Sequence, residues 1–178
     1  MGVYLLATAV MVGLGKWLKL TETKEQTILH RSPAKAILMV LLAGFFYLIY
    51  YEVFGGITFQ FFTKQYYPHA AEQAMALGIW FPVYQLARGV AMTLAVLPII
   101  YTLRLPRWKA ALVVGLLAWI VGGAAPLLVP NEVMVTAQRY IHIGEIFTQN
   151  FSLGVTAVWL LRPKTVKAAI AEHASTTA

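Results

Sequence analysis

The sequence has no cysteine, no aspartate and only three serines, Ser32, Ser152 and Ser175. Without cysteine there are no disulfides, thiolate nucleophiles, iron–sulfur clusters or cysteine-ligated zinc. Without aspartate, Glu is the sole acid, which excludes an intramembrane aspartyl dyad and the Asp-rich metal motifs of lipid head-group transferases. Ser152 is the one serine within an apolar stretch, and His142 lies ten residues earlier on the same predicted helix, roughly 15 Å away along its axis. That is too far for a nucleophile–base hydrogen bond. GxxxxGK[ST], HExxH and GxGxxG are all missing as well. Charge is scarce: 12% of residues, against about 25% in ordinary globular domains.

What is abundant is apolar. Hydrophobic residues make up 60% of the 178, and the mean hydropathy is +0.69. Too little charge remains to coat a water-facing surface, so the composition predicts an integral membrane protein of the all-α class, a polytopic transmembrane helix bundle. A bilayer crossing takes about 20 apolar residues. Four stretches meet that length, at roughly 35–62, 77–101, 110–129 and 138–161. A fifth, at about 2–15, is short but is followed by Lys16, Trp17 and Lys19 as an interfacial anchor. The expectation is one domain of five spans over 1–178, with an amphipathic surface helix over 164–173 after Pro163. Ser32-Pro33 supplies an N-cap and a first-turn proline for the second span. Thr23 and Gln26 have capping-box spacing ahead of a short helix over 24–31, and Pro126 with Pro130-Asn131 closes the fourth span.

The basic residues set an orientation. Lys16, Lys19, Lys24, Arg31 and Lys35 precede the second span; Arg104, Arg107 and Lys109 separate the third and fourth; Arg162, Lys164 and Lys167 follow the fifth. All three groups fall on one side, against Lys64 and Arg139 on the other. The positive-inside rule then puts the C-terminus in the cytoplasm and the N-terminus outside, in a cell membrane, with the bacterial inner membrane as the expected location. The net charge of +7 is thereby a topology signal that calls for no nucleic-acid partner. The expected partners are the bilayer, whose anionic lipids suit the basic side, and other membrane subunits or further copies of this chain. Ala87, Ala91 and Ala95, with Ala111/Gly115 and Ala118/Gly122, have the small-residue spacing that lets helices approach in lipid, so the third and fourth spans are expected to pack together.

Ionisable groups inside a span cost at least ~2.5 kcal/mol each near its centre and are functional-site candidates for that reason. Glu52 lies in the second span, Gln85 and Arg88 in the third. In the fifth, His142, Glu145 and Gln149 share a face, with Asn150 beside them and Ser152 and Thr156 continuing the stripe. All fall between the midplane and the outer surface, which suggests one shared cluster. Its simplest use is structural: Arg88 clamps Glu52 and Glu145. Its functional use is a site for a small ligand or a proton, opening outward and held by Glu52, Gln85, Arg88, His142, Glu145, Gln149 and Asn150, in a protein that binds, senses or transports or is a subunit of a larger complex. The competing class is a membrane enzyme or metal-handling protein using His142 and Glu145 as base and orienter.

Two HxxE pairs, His69/Glu72 and His142/Glu145, are both predicted at the outer face and would make a His2Glu2 shell for zinc or a first-row transition metal. A bis-histidine haem is poorly served, because His30, His69 and His173 fall in predicted loops. The sequence specifies no other cofactor. The aromatic run from Phe45 to Tyr67 reads mainly as an interfacial belt and lipid-facing packing, with a flat apolar ligand such as a quinone as the alternative for its deeper members. The pattern formed by Phe54-Gly55, Arg88-Gly89, Pro126 to Asn131 and Arg139-x-x-His142-x-x-Glu145, with Asn150 and Gly154 beyond, resembles small polytopic membrane proteins of bacteria over roughly 36–161. No activity accompanies the resemblance, and it implies no catalytic residues.

Overall fold

The computed structural model describes residues 32–67, 69–129 and 134–162. The span expected at 2–15, the helices expected at 24–31 and 164–173, His30 and His173 lie outside them. Among the described residues all regular structure is helical. The elements are α1 (Pro33–Tyr66), the short α2 (Ala70–Leu77), α3 (Trp80–Thr102), α4 (Arg107–Leu128) and α5 (136–161). α1, α3 and α4 are long and apolar enough to cross a membrane. Ser32 caps α1 as expected, its side chain accepting from the Lys35 N–H at 3.4 Å with Pro33 in the first turn. The sequence places no helix over 70–76 and begins the third span at 77; α2 is a separate helix, and Gly78, at φ +52°, a conformation in which a Cβ is strained, divides it from α3.

α5 is long enough to cross, at about 39 Å, but its stripe of Gln, His, Glu and Asn lowers its hydropathy. The packing explains how that stripe is accommodated. α5 lies against α1, α3 and α4 in turn, so the most polar helix has the most protein around it. Neighbouring contacts alternate in direction: Gly55 meets Gln149 while Tyr50 Oη shares a 2.8 Å hydrogen bond with Thr156 Oγ1, and Gly123 meets Ile146 while Gly115 meets Gly154. α1 and α4 therefore run one way, α3 and α5 the other.

The third and fourth spans do touch, sharing the core of Val96, Ile100, Ala111 and Val114, but that is not the main pairing of either. α3 packs chiefly on α1, and α4 chiefly on α5. Ala87, Ala91 and Ala95 are exposed, while Ala111, Gly115 and Ala118 are buried facing α5. The closest approaches are made by glycines in facing pairs. A Cβ on Gly89 would lie 2.9 Å from Gly44 O, and one on Gly154 would lie 2.6 Å from Gly115 Cα. Contact at backbone distance is what van der Waals association in lipid rewards. The apolar core around Val40, Val96, Ile100, Val114 and Val158 fills the half of the bundle nearer the 103–106 connection. That end is closed by two arginines acting as helix caps: Arg107 donates to Trp159 O at 2.9 Å, and Arg162 donates to Leu103 O at 2.9 Å and to Leu105 O.

Candidate functional site

Above that core, toward the Trp80 end, the interior becomes polar. The sequence stripe on α5 is realised as hydrogen bonding. His142 Nδ1 lies 2.8 Å from Glu145 Oε2, and Gln149 Nε2 donates to Glu145 Oε1 at 3.0 Å. The Glu145 side chain is only 10% exposed, and that of His142 28%. With Glu145 ionised, His142 Nδ1 carries the hydrogen and Nε2 is left as an acceptor. Gln149 and Asn150 are buried; Asn150 Nδ2 donates to Ala118 O at 3.4 Å and its Oδ1 has no partner.

Local helix geometry makes room for these groups. π-helical turns interrupt α1 at Tyr51–Gly55, α4 at Ile120–Ala124 and α5 at Phe147–Phe151. Each π turn inserts an extra residue and rotates the remainder of its helix, a feature frequent at functional sites. The three meet through glycine. A Cβ on Gly55 would lie 3.2 Å from Gln149 Nε2 and 3.3 Å from Glu145 Oε1, and one on Gly122 would lie 3.2 Å from Asn150 Nδ2. The α5 polar side chains thus occupy space that side chains on α1 and α4 leave vacant.

Arg88 and Glu52 are placed differently from the expected clamp. Glu52 is exposed at the bundle perimeter. Arg88 is half-buried, and among the described residues no carboxylate comes within ion-pair distance of it; its guanidinium lies over the Tyr47 ring, 5.8 Å from the centroid. Arg88 and Glu145 nonetheless share surroundings, both lying within electrostatic reach of Tyr47 and Tyr51. Gln85, one turn from Arg88, is buried with Oε1 unpartnered, and Tyr47 is buried with Oη unpartnered. Tyr47 and Tyr51 are the members of the site that sequence reasoning assigned to the aromatic belt. Their signal was the i, i+4 spacing on the helix face that also carries Gly44.

The four-ligand metal shell is also corrected. His69 and Glu72 form their own 3.2 Å pair with both side chains exposed, and among the described residues no three His or Glu side chains gather as metal ligands. Helix α5 carries one HxxE pair into the interior, while the other stays on the surface at the start of α2.

Because Arg88 holds no carboxylate among the described residues, Arg88→Ala is expected to cost about 1–2 kcal/mol, the scale of a partly desolvated cation–π contact. Breaking a buried ion pair would cost ~3–5 kcal/mol. Thermal unfolding in detergent at neutral and acidic pH distinguishes them: the expected result is a small shift that acidification does not reverse.

Comparison with family models, with curated proteins and with solved structures finds no match for this chain.

Proposed function

We propose that the chain is a multi-pass membrane protein whose α5 polar face is a proton- and ligand-binding site, serving transport or sensing of a small solute. The observation that carries this reading is the state of Glu145. Its carboxylate is nearly buried in mid-helix, is held by a histidine and an amide, and has no Lys or Arg paired with it among the described residues. A structural clamp would have used Arg88, whereas a carboxylate–imidazole pair with no fixed cation can gain and lose a proton without dismantling the fold. In this reading α5 crosses the membrane with α1, α3 and α4, and 2–15 makes a fifth crossing. The basic end, with Arg104, Arg107 and Arg162, faces the cytoplasm, and the Trp80 end faces outward across a bacterial inner membrane. The alternating helix directions and the one-sided distribution of Lys and Arg support that arrangement.

Infrared difference spectroscopy of the purified protein between acidic and neutral pH tests the site. The expected result is a protonated-carboxyl band that grows on acidification in the wild type and is lost in Glu145→Gln but kept in Glu52→Gln. A spectrum unchanged by Glu145→Gln would overturn the reading.

A further inference from the structure

Resting on that reading of Glu145, we infer that Arg88, Tyr47 and Gln85 bind the carboxylate of a small monocarboxylic acid, and that a proton taken by His142 accompanies it. Three observations converge. Arg88 lies within an apolar helix, with no ion pair among the described residues and its guanidinium over the Tyr47 ring. A cation at such a depth calls for an anion, and the guanidinium fork matches a carboxylate with two donors. Tyr47 is fully buried and its hydroxyl has no partner; a carboxylate beside Arg88 would accept from it. Gln85, 4% exposed, has a buried amide oxygen without a donor on the face shared with Arg88. Turned end over end, that amide also donates to an anion. Two helices thus supply a guanidinium, a hydroxyl and an amide, and the hydroxyl and the amide oxygen have no partner among the described residues.

Charge balance brings in the proton. His142 and Gln149 hold Glu145 on its own helix; Tyr47 lies within electrostatic reach of Arg88, Glu145 and Tyr84, and Tyr51 within reach of Glu145, Arg88 and Glu52, while α4 offers no titratable residue over 120–128. Arg88 offsets only one of the two carboxylates in these surroundings, Glu52 and Glu145. A carboxylate bound at Arg88 adds a further negative charge, and a proton taken on His142 Nε2 offsets it. Acid and proton then enter together as an electrically neutral load. The acid is a soluble one arriving from the Trp80 end or a fatty acid arriving from the lipid, and the headgroup chemistry is the same for both.

Isothermal titration calorimetry of the full chain in detergent, with sodium propionate and separately with decanoate below its micelle concentration, tests the inference. Run in two buffers of different ionisation enthalpy at about pH 7.5, it also counts protons. Saturable binding is expected, with about one proton taken up per acid and none in His142→Gln. Binding of both acids marks a soluble ligand, and binding of decanoate alone marks a lipid-derived one. Propylamine is expected not to bind. Arg88→Gln should weaken binding at least tenfold and Arg88→Lys less, since Lys keeps the charge and loses the fork. Tyr47→Phe, which removes only a hydroxyl, should weaken it several-fold and serves if Arg88→Gln fails to fold. No binding of either acid to the wild type, or binding unchanged in both Arg88→Gln and Tyr47→Phe, would overturn the carboxylate site. Binding without proton uptake would overturn the coupling. The infrared response of Glu145 is independent of either failure.

Discussion

Gly154→Ala is expected to be among the most damaging single-methyl additions to this protein. A Cβ there would lie 2.6 Å from Gly115 Cα, 2.7 Å from Val114 O and 2.8 Å from Gly115 N. All three are backbone atoms, so no side chain can turn aside and α4 and α5 must separate. Overpacking of this kind costs ~1–3 kcal/mol, and the rigid neighbours put this site at the upper end of that range. The same helix provides the control. A Cβ on Gly144 would meet nothing within 4 Å, so Gly144→Ala should be neutral or stabilising by up to about 1 kcal/mol through helix propensity. Unfolding of the two variants in detergent, measured side by side, should shift in opposite directions or leave Gly144→Ala unmoved.

Glu145→Ala is expected to destabilise by about 1–3 kcal/mol, because it leaves the buried Gln149 amide and the His142 Nδ1–H without acceptors. Relief of the carboxylate's own desolvation offsets part of that loss. Glu145→Gln keeps an acceptor oxygen in place and should stay within about 1 kcal/mol of the wild type. Chemical or thermal unfolding of the pair separates the carboxylate's structural contribution from its charge. Equal, large losses in both variants would mean that the negative charge itself holds the fold.

The sequence was informative wherever one segment decides the outcome. Ser32-Pro33 caps α1 because capping needs only local residues, and the apolar lengths of α1, α3 and α4 follow from composition. The His142–Glu145–Gln149 stripe was legible for the same reason, since helical spacing alone brings its members together. Properties that depend on two helices at once were not legible. Arg88 and Glu52 match in depth along their helices, but their rotation is set by packing and by the π turn at Tyr51–Gly55, which leaves Glu52 at the perimeter. The alanines at 87, 91 and 95 have the spacing of a contact stripe yet stay exposed. The true contacts pair Gly44 with Gly89 and Gly115 with Gly154, a correspondence that a single helix's periodicity does not contain. Tyr47 was hidden in the same way: in an aromatic-rich run, only the opposing Gly89 marks it as interior.

The claim on which the rest depends is that the His142–Glu145 pair is reached by water from the outer face of a membrane that α5 crosses. The chain has no natural cysteine, so His142→Cys and Leu105→Cys each supply a single thiol. Labelling intact cells with a membrane-impermeant maleimide should modify the thiol at position 142 from outside, while the thiol at position 105, in the connection between α3 and α4, should react only after permeabilisation. Labelling of position 105 in intact cells, or of position 142 only from the cytoplasmic side, would contradict the account.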